Sequence, residues 1–470
     1  MTLPSPTDEG IRAEDLGHVL FIGVGGVGLS GLARLYATRG IQVTGSELHD
    51  WPSLADLESL GVVVHREHKA SNLDGIDTVV RSTVHPDDHV ELVEARRRGL
   101  RIYHRSEALA AAMTDKRSIA VTGTHGKTTT TAVLTELLAY GGLEPSYVNG
   151  GASSATGYSG GHGDGEFIVI EADESDRSFF RYRPEIAILT NIDADHLNNY
   201  GSMAELEEGF TTFLDGVSDD GFSVICADDP RVAKIGRDMQ QRGKRVISYG
   251  VSPQADFRVQ GLASDRDGVS FTAEFRGEQL GQFTMPVPGA HLGLNSAAAI
   301  VTALELGMSA TQLRDGLAAF SGVKRRFEHV GTVNDIKVYD EYAYHPTAMT
   351  AALETLKTVA GNGRLLVVFQ PYRVYRTLGQ REEIAAALAI ADMAVVMEIF
   401  APGEDLPVGD AGEALCRVVD LPEENKRFSP EWDDVPEAVR TLARPGDVVV
   451  TMGAPPVSMM PAQLLAALKT

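Results

Sequence analysis

Cysteine is nearly absent from this 470-residue chain: Cys226 and Cys416 are the only two, and they lie far apart. That excludes a disulfide framework and any metal site built from closely spaced cysteines, and it fits a reducing compartment. Positive charge is also scarce, with 42 Lys and Arg against 65 Asp and Glu, a formal net charge of −23. A chain so acidic does not bind nucleic acid or an anionic membrane by general charge. Any anionic ligand must be held by local basic groups and backbone amides. No apolar run reaches the length of a membrane span. The start, MTLPSPTDEGIRAED, lacks the basic and apolar stretches of a signal peptide, so residues 1–15 read as a loose tail on a cytoplasmic protein.

What is present is an ordinary apolar content of 43%, enough for cores in about three domains at ~150 residues each. Strand-like and helix-like runs alternate from HVLFIGV to LVEARRRGLRIYH, a pattern that predicts a parallel sheet over 16–113. A second block, 114–322, repeats strand–loop–helix in RSIAVTGTHGKTTTTAVLTELL and adds FRVQGLASDRDGVSFTAEF and QFTMPVPG, which read as antiparallel strands. A third block, 323–470, carries strands in IKVYDEYAY, RLLVVFQP, MAVVMEIF and DVVVTMG. The expected fold class is therefore α/β, in three consecutive domains.

Two glycine-rich turns follow strands. GVGGVGLSG places Gly23, Gly25 and Gly28 in a G-x-G-x-x-G spacing, with Glu47 at the end of the next strand. A helix N-terminus there offers free N–H groups to a phosphate or diphosphate. With Glu47 it also admits an NAD-dependent oxidoreductase, and a tight packing turn needs the same glycines. TGTHGKTTTT is more specific. Gly123 and Gly126 let backbone amides converge on phosphate oxygens, Lys127 brings a point charge, and Thr128 a hydroxyl for Mg²⁺. The usual P-loop spacing would need a glycine at position 121, where Val121 stands.

EADESD, Glu171 to Asp176, and TNIDADH, Thr190 to His196, follow the strands FIVI and AIL. An acidic loop alone is more often solvated than functional. Two such loops downstream of a P-loop-like turn match what a magnesium–ATP site needs. PGAHLGLNSAAA sets His291 and Asn295 four residues apart, and KRRFE carries Lys324, Arg325 and Arg326. DEYAYHPTAM and QPYRVYRT gather Tyr342, Tyr344, His345, Tyr372, Arg373 and Arg376. An arginine pair there suits a substrate carboxylate, and salt-bridged arginines among half-buried tyrosines give the plainer reading.

In the order TGTHGKTTTT, EADESDRSF, TNIDADH, GVKRRFE, HPTA, these motifs resemble the Mur ligases of bacterial cell-wall synthesis, over nearly the whole chain. The resemblance implies a UDP-sugar domain, a central ATPase domain and a C-terminal Rossmann-like ligase domain. It implies an ATP- and Mg²⁺-dependent amide-bond ligase that joins L-alanine or a related amino acid to the carboxylate of UDP-N-acetylmuramate or a related UDP-sugar. By the same resemblance, Gly25, Gly26, Gly28, Ser30, Ser46 and Ser82 serve the UDP-sugar. Gly123, Thr124, His125, Gly126, Lys127, Thr128 and Thr129, with His291, Asn295, Arg326 and Glu341, serve ATP. Thr128, Glu171 and His196 hold metal, and Lys127, Glu171, His196 and Arg326 carry the chemistry. Tyr342, Tyr344, His345, Tyr372, Arg373 and Arg376 meet the acceptor amino acid. A monomer or homodimer is expected.

The chain departs from the alanine-adding pattern in its last domain. DEYAYHPTA stands for Asp-Asp-Tyr-Gly/Ala-His-His-Pro-Thr-Glu, so that Glu341 replaces an Asp and Tyr344 a His. QPYR stands for Gln-Pro-His-Arg, which makes Tyr372 a second His-to-Tyr exchange. Neutral phenols there replace groups that hold protons near pH 7. The expectation is retained ligation with an altered acceptor pocket, for another amino acid or a specialised-metabolism substrate.

Overall fold

The computed structural model describes residues 10–402, 404 and 409–469. Three sheets follow one another along the chain, each flanked by helices, which gives the three consecutive α/β domains expected. By compactness the chain forms two units. One runs to Gln260 and includes Thr272–Phe283 and Leu294–Phe320; the other takes Gly261–Phe271, Thr284–Gly293 and Ser321 onward.

The first sheet has five strands in the order Val63–His65, Val43–Ser46, Val19–Ile22, Thr78–Arg81, Arg101–His104, all parallel. The chain leaves the central strand Val19–Ile22 in one direction and returns on its other side at Thr78–Arg81. That reversal opens a crevice beyond the strand ends, where open α/β sheets bind ligands. GVGGVGLSG sits there, between Val19–Ile22 and the helix Val27–Thr38. Of the tail expected over 1–15, residues 1–9 lie outside the described residues. Within the remainder, Ala13–Leu16 form a 3₁₀ turn with Ala13 and Leu16 fully buried. Arg101 fastens that turn to the sheet by donating to the carbonyls of Asp15 and Leu16.

In the second sheet Arg117–Thr122 lies between Ile186–Leu189 and Phe167–Glu171, parallel to both. This is the register that aligns three loops at one sheet end: Gly123–Gly126, Asp173–Asp176 and Asn191–His196. The sheet reaches ten strands, extending through Phe222–Cys226 and Val246–Gly250 to Phe257–Ser264, Val269–Phe275 and Glu278–Met285 on one side. On the other side it ends in Ser146–Val148 and Gly160–Gly161. A Cβ on Gly160 would fall 2.1 Å from the carbonyl oxygen of Gly31, and one on Gly31 2.8 Å from that of Ser159. The helix of the first sheet therefore packs backbone to backbone on the edge of the second, which only glycine permits.

The third sheet runs Glu328–Val333, Ile336–Glu341, Val448–Gly453, Leu365–Gln370, Met393–Val396, Lys426–Phe428. It is parallel apart from the opening hairpin. Along Leu365–Gln370 the side chains alternate between two cores: Leu365, Val367 and Phe369 join one, Leu366 and Val368 the other. Both faces are covered, which is why LLVVFQ reads as a continuous apolar run rather than an alternating one.

Candidate active site

The helix Lys127–Tyr140 starts directly from the loop after Arg117–Thr122. Gly123 has φ +125° and Gly126, the N-cap, +85°. A Cβ on Gly123 would lie 2.2 Å from Thr190 Oγ1, and one on Gly126 2.4 Å from Asn295 Oδ1. Both glycines are required by backbone conformation and by space. The loop is pinned by TNIDADH. His125 N donates to Asn191 Oδ1 at 2.8 Å, and Thr124 N to the Asn191 carbonyl at 3.0 Å. Thr190 Oγ1 and Asn191 Nδ2 both donate to the His125 carbonyl, at 2.6 and 3.0 Å. Asp193 N donates to Thr124 Oγ1 at 2.9 Å, and His125 Nε2 lies 2.9 Å from Asp193 Oδ2. The turn is thus held in shape by its neighbour rather than by a leading glycine at 121. Thr128 and Thr129 are buried behind it.

Lys127 points back over this turn. Its ammonium donates to the Gly123 and Thr124 carbonyls at 2.5 and 3.1 Å and lies 2.8 Å from Glu174 Oε2. Burial alone would depress the Lys127 pKa, but the carboxylates of Glu174, Asp173 and Glu171 outweigh it and raise it. Burial, reinforced by Asp173, raises the Glu174 carboxyl to about 8, and Lys127 opposes that shift without cancelling it. Sequence reading picked Glu171 from EADESD and missed Glu174, whose side chain is 1% exposed. Tyr200 Oη donates to the Glu174 carbonyl at 2.8 Å and holds that turn in place. His196, at φ +58°, brings Nε2 to 3.9 Å from Glu174 Oε1 and 3.6 Å from Asp195 Oδ2. Glu171 accepts from Gly150 N at 2.8 Å, and Asn149 beside it donates to the Thr128 carbonyl at 3.1 Å.

Arg105 is the second residue missed. It follows the strand Arg101–His104 and carries no motif, yet it lies 3.2 Å from both Asp173 and Asp176. Burial would raise the Asp173 pKa; Arg105 and Lys127 reverse that and hold it at about 2. The Arg105 side chain also runs 3.7 Å from where a Cβ on Gly28 would stand. It therefore joins the first glycine-rich helix to the acidic loop. Glu171, Asp173, Glu174 and Asp176 face two cations, Lys127 and Arg105. A hard divalent ion suits that excess of acidic groups.

At the first cradle, Gly23 N donates to the Ser46 carbonyl at 2.8 Å, and Gly25 leaves no room for a side chain against Trp51. Gly26 is the helix N-cap, and Gly28 and Ser30 lie in the first turn. Both oxygens of Glu47 are taken by backbone amides: Oε2 by Gly25, Oε1 by Leu48 and His49. Glu47 therefore braces the turn, which removes the feature that favoured a dinucleotide. Ser46 is fully buried and donates to Glu91 at 2.8 Å instead of facing an open cradle. Ser82 stands just past the strand Thr78–Arg81.

In the C-terminal unit, Glu341 is also occupied by its own backbone. Oε2 accepts from Phe327 N at 2.8 Å and Oε1 from Ala343 N at 3.1 Å, with Arg326 Nη1 3.9 Å away. Burial raises its pKa. Burial, then Arg326, lowers the pKa of His291 to about 4, which keeps that imidazole neutral. Arg376 is 4% exposed, its guanidinium 4.6 Å from the Tyr344 ring centre and 6.0 Å from that of Tyr372. Tyr344 and Tyr372 lie 5.2 Å apart. His345 Nε2 is 3.1 Å from Gln380 Nε2. Tyr342 lies under Arg325 and Arg326, at 4.5 and 4.8 Å, and edge-on to Tyr344 at 5.7 Å. Arg373 lies 5.0 Å over the Tyr372 ring and donates to the Pro402 carbonyl. Of the six residues expected at the acceptor, Tyr342, Tyr344, Tyr372, Arg373 and Arg376 are joined by ring and guanidinium contacts.

Family models match three successive segments: "Mur ligase family, catalytic domain" over 18–117, "Mur ligase middle domain" over 121–303, and "Mur ligase, glutamate ligase domain" over 325–455. A UDP-N-acetylmuramate–L-alanine ligase of Salinispora arenicola is 55% identical over 97% of this chain and 90% of its own length. One from Acidothermus cellulolyticus is 43% identical over 98% of this chain and 97% of its own. Among solved structures, the UDP-N-acetylmuramate–alanine ligase of Thermotoga maritima superposes with a TM-score of 0.82 at 26% identity, covering 96% of this chain and 98% of that one. A murein peptide ligase of Psychrobacter arcticus gives 0.75 at 25%, covering 97% and 99%. An NAD-dependent oxidoreductase is set aside by these matches: the chain belongs to the Mur ligase family.

Proposed function

We propose that this chain joins L-alanine to the carboxylate of UDP-N-acetylmuramate, with cleavage of ATP to ADP and phosphate, as a step of peptidoglycan precursor synthesis in the cytoplasm. The observation that carries this is the convergence at one sheet end of the Gly123–Gly126 turn, Lys127, Glu171, Glu174 and His196. The names of the relatives support the two substrates.

The division of labour follows the three sheets. Residues 16–113 hold the sugar nucleotide by its diphosphate, 114–322 hold ATP, and 323–470 hold the acceptor. A carboxylate does not acylate an amine at neutral pH. Its oxygen attacks the γ-phosphorus of ATP, ADP leaves, and an acyl phosphate results. Gly123, Thr124, His125 and Gly126 present backbone to the phosphates, and Lys127 neutralises charge that spreads over the γ-phosphoryl oxygens. Thr128, Glu171 and His196 would hold Mg²⁺, which supplies Lewis-acid neutralisation of the same oxygens. Asn295, beside Gly126, shapes the nucleoside side. The amino group, having lost its proton, attacks the acyl carbon, and phosphate leaves with its electron pair.

Arg376, stacked on Tyr344 and Tyr372, would receive the amino acid's carboxylate. The His-to-Tyr exchanges at 344 and 372 alter how Arg376 is held and leave the phosphate-binding loop as it is. Phosphate release measured with UDP-N-acetylmuramate, ATP and Mg²⁺ across all amino acids tests the reading. L-alanine is expected to be preferred, and a clear preference for another amino acid overturns the acceptor assignment.

A further inference from the structure

A second cluster of ligating side chains lies at the end of the first sheet, beside the first glycine-rich turn. Glu91 is fully buried in the first turn of the helix Val90–Arg98. Its Oε1 accepts from Asn72 Nδ2 at 2.7 Å; its Oε2 accepts from Ser46 Oγ at 2.8 Å and lies 3.1 Å from His68 Nδ1. Among the described residues no Lys or Arg pairs with it. A buried carboxylate normally has a cation partner or binds a metal. Here its other close neighbours are imidazoles.

His89 is the anomaly. It is the N-cap of Val90–Arg98, a position where Ser, Thr, Asp or Asn would bond to the free amides, and its side chain makes no such bond. Its side chain is 12% exposed, and among the described residues neither ring nitrogen has a hydrogen-bond partner. Nδ1 lies 3.9 Å from Glu91 Oε2. Buried ring nitrogens without partners are rare and call for an explanation. One donor atom from each of His68, His89 and Glu91 lies within 4.8 Å of the others. His85 packs on both imidazoles, its ring centre 5.3 Å from that of His89 and 6.1 Å from that of His68. Its Nε2 stands 2.5 Å from where a Cβ on Gly23 would be.

We propose that His68, His89 and Glu91 form a binding site for a divalent transition-metal ion of the zinc class, beside the first glycine-rich turn. Zinc takes imidazole and carboxylate donors at about 2.0–2.2 Å, so a tetrahedral site has donor–donor edges of about 3.3 Å. The separations of 3.1 and 3.9 Å to Glu91 Oε2 fall on either side of that edge, and the His68 and His89 donors lie within 4.8 Å of each other. Three protein ligands leave a fourth position, for His85 or water. The ion takes the place of the hydrogen bond between His68 Nδ1 and Glu91: Nδ1 ligates and the neutral imidazole keeps its proton on Nε2. The donor set separates this site from the ATP site: two imidazoles favour zinc, cobalt or nickel, whereas magnesium prefers oxygen.

The test is Co²⁺ titration of the tag-free full-length chain in excess Mg²⁺, read by visible absorption and followed by Zn²⁺ displacement. A single equivalent of Co²⁺ with a d–d band that Zn²⁺ abolishes is expected. His89→Asn and Glu91→Gln should each weaken it at least about tenfold, and His196→Ala should leave it. Asn is a good N-cap, so His89→Asn should melt no lower than the parent without metal, which separates a lost ligand from a lost fold. No band in the parent chain, or a band kept by His89→Asn and lost with His196→Ala, overturns the proposal.

Discussion

Replacing Lys127 by Ala removes the ammonium that faces Glu174, and the effect on stability follows from burial. Glu174 is 1% exposed, and its carboxyl is raised to about 8 with Lys127 beside it. Below that value the folded carboxyl holds a proton; above it the carboxylate depends on Lys127. The folded pKa lies above the ordinary 4.5, so the parent loses stability as pH rises from 4.5 and levels off through about 8. Without Lys127 the folded pKa moves higher still, and the loss continues above pH 8 at about 1.36 kcal/mol per pH unit. Between pH 7 and pH 9 the gap between Lys127→Ala and the parent should therefore widen by about 1 kcal/mol. For a cooperative region of 150–250 residues, 1 kcal/mol moves the midpoint by about 2–4 °C. Lys127→Ala should accordingly fall about 2–4 °C further below the parent at pH 9 than at pH 7. Lys127→Ala/Glu174→Gln should abolish that widening, because Gln removes the titrating group and keeps the shape. Thermal melts of parent, two single variants and the double variant at both pH values complete the cycle. A Lys127→Ala chain whose deficit is the same at pH 7 and pH 9, or a double variant whose deficit still widens, refutes the buried pair.

Gly123→Ala would put a methyl group 2.2 Å from Thr190 Oγ1 at φ +125°, so phosphate release should fall at least about a hundredfold, checked by steady-state assay. Arg105→Met should cost about 1–3 kcal/mol at pH 7, less than a fully buried pair because the Asp173 side chain is 34% exposed. Asp173, depressed to about 2, contributes stability above its ordinary 3.8 and loses it as pH falls through 2. The difference between Arg105→Met and the parent should accordingly close across that interval in acid denaturation. Arg376→Lys replaces a planar group stacked on Tyr344 and Tyr372 by a point charge, and should raise KM for the amino acid about tenfold with KM for ATP unchanged. An unchanged amino-acid KM would remove Arg376 from the acceptor site.

Much of this was legible in the sequence because it depends on local geometry. Gly123 and Gly126 must adopt positive φ, a strand must precede them and a helix must follow, and those demands leave a pattern in a dozen residues. The alternation of strand and helix carried the three α/β sheets for the same reason. Glu174 was not legible. EADESD offers four acidic residues within six, and the turn after Phe167–Glu171 decides which one reaches Lys127. Arg105 was hidden by distance, since Asp173 and Asp176 lie 68 and 71 residues further on. Ser46 was read as a ligand contact from the family resemblance, Glu47 from its position after a strand, and Glu341 again from the resemblance. Their side chains are spent on Glu91, on the Gly25 turn and on the Phe327 and Ala343 amides. Strand-end position gives the location of a side chain, and the hydrogen-bond partners that claim it come from elsewhere in the chain.

The most direct test of the account is phosphate release by the parent chain and by Lys127→Ala, each with UDP-N-acetylmuramate, ATP, Mg²⁺ and L-alanine, assayed at a temperature where both are folded. Turnover that needs all four components and falls by at least about a thousandfold in Lys127→Ala is predicted. Turnover that survives that substitution, or that proceeds without the sugar nucleotide, would contradict it.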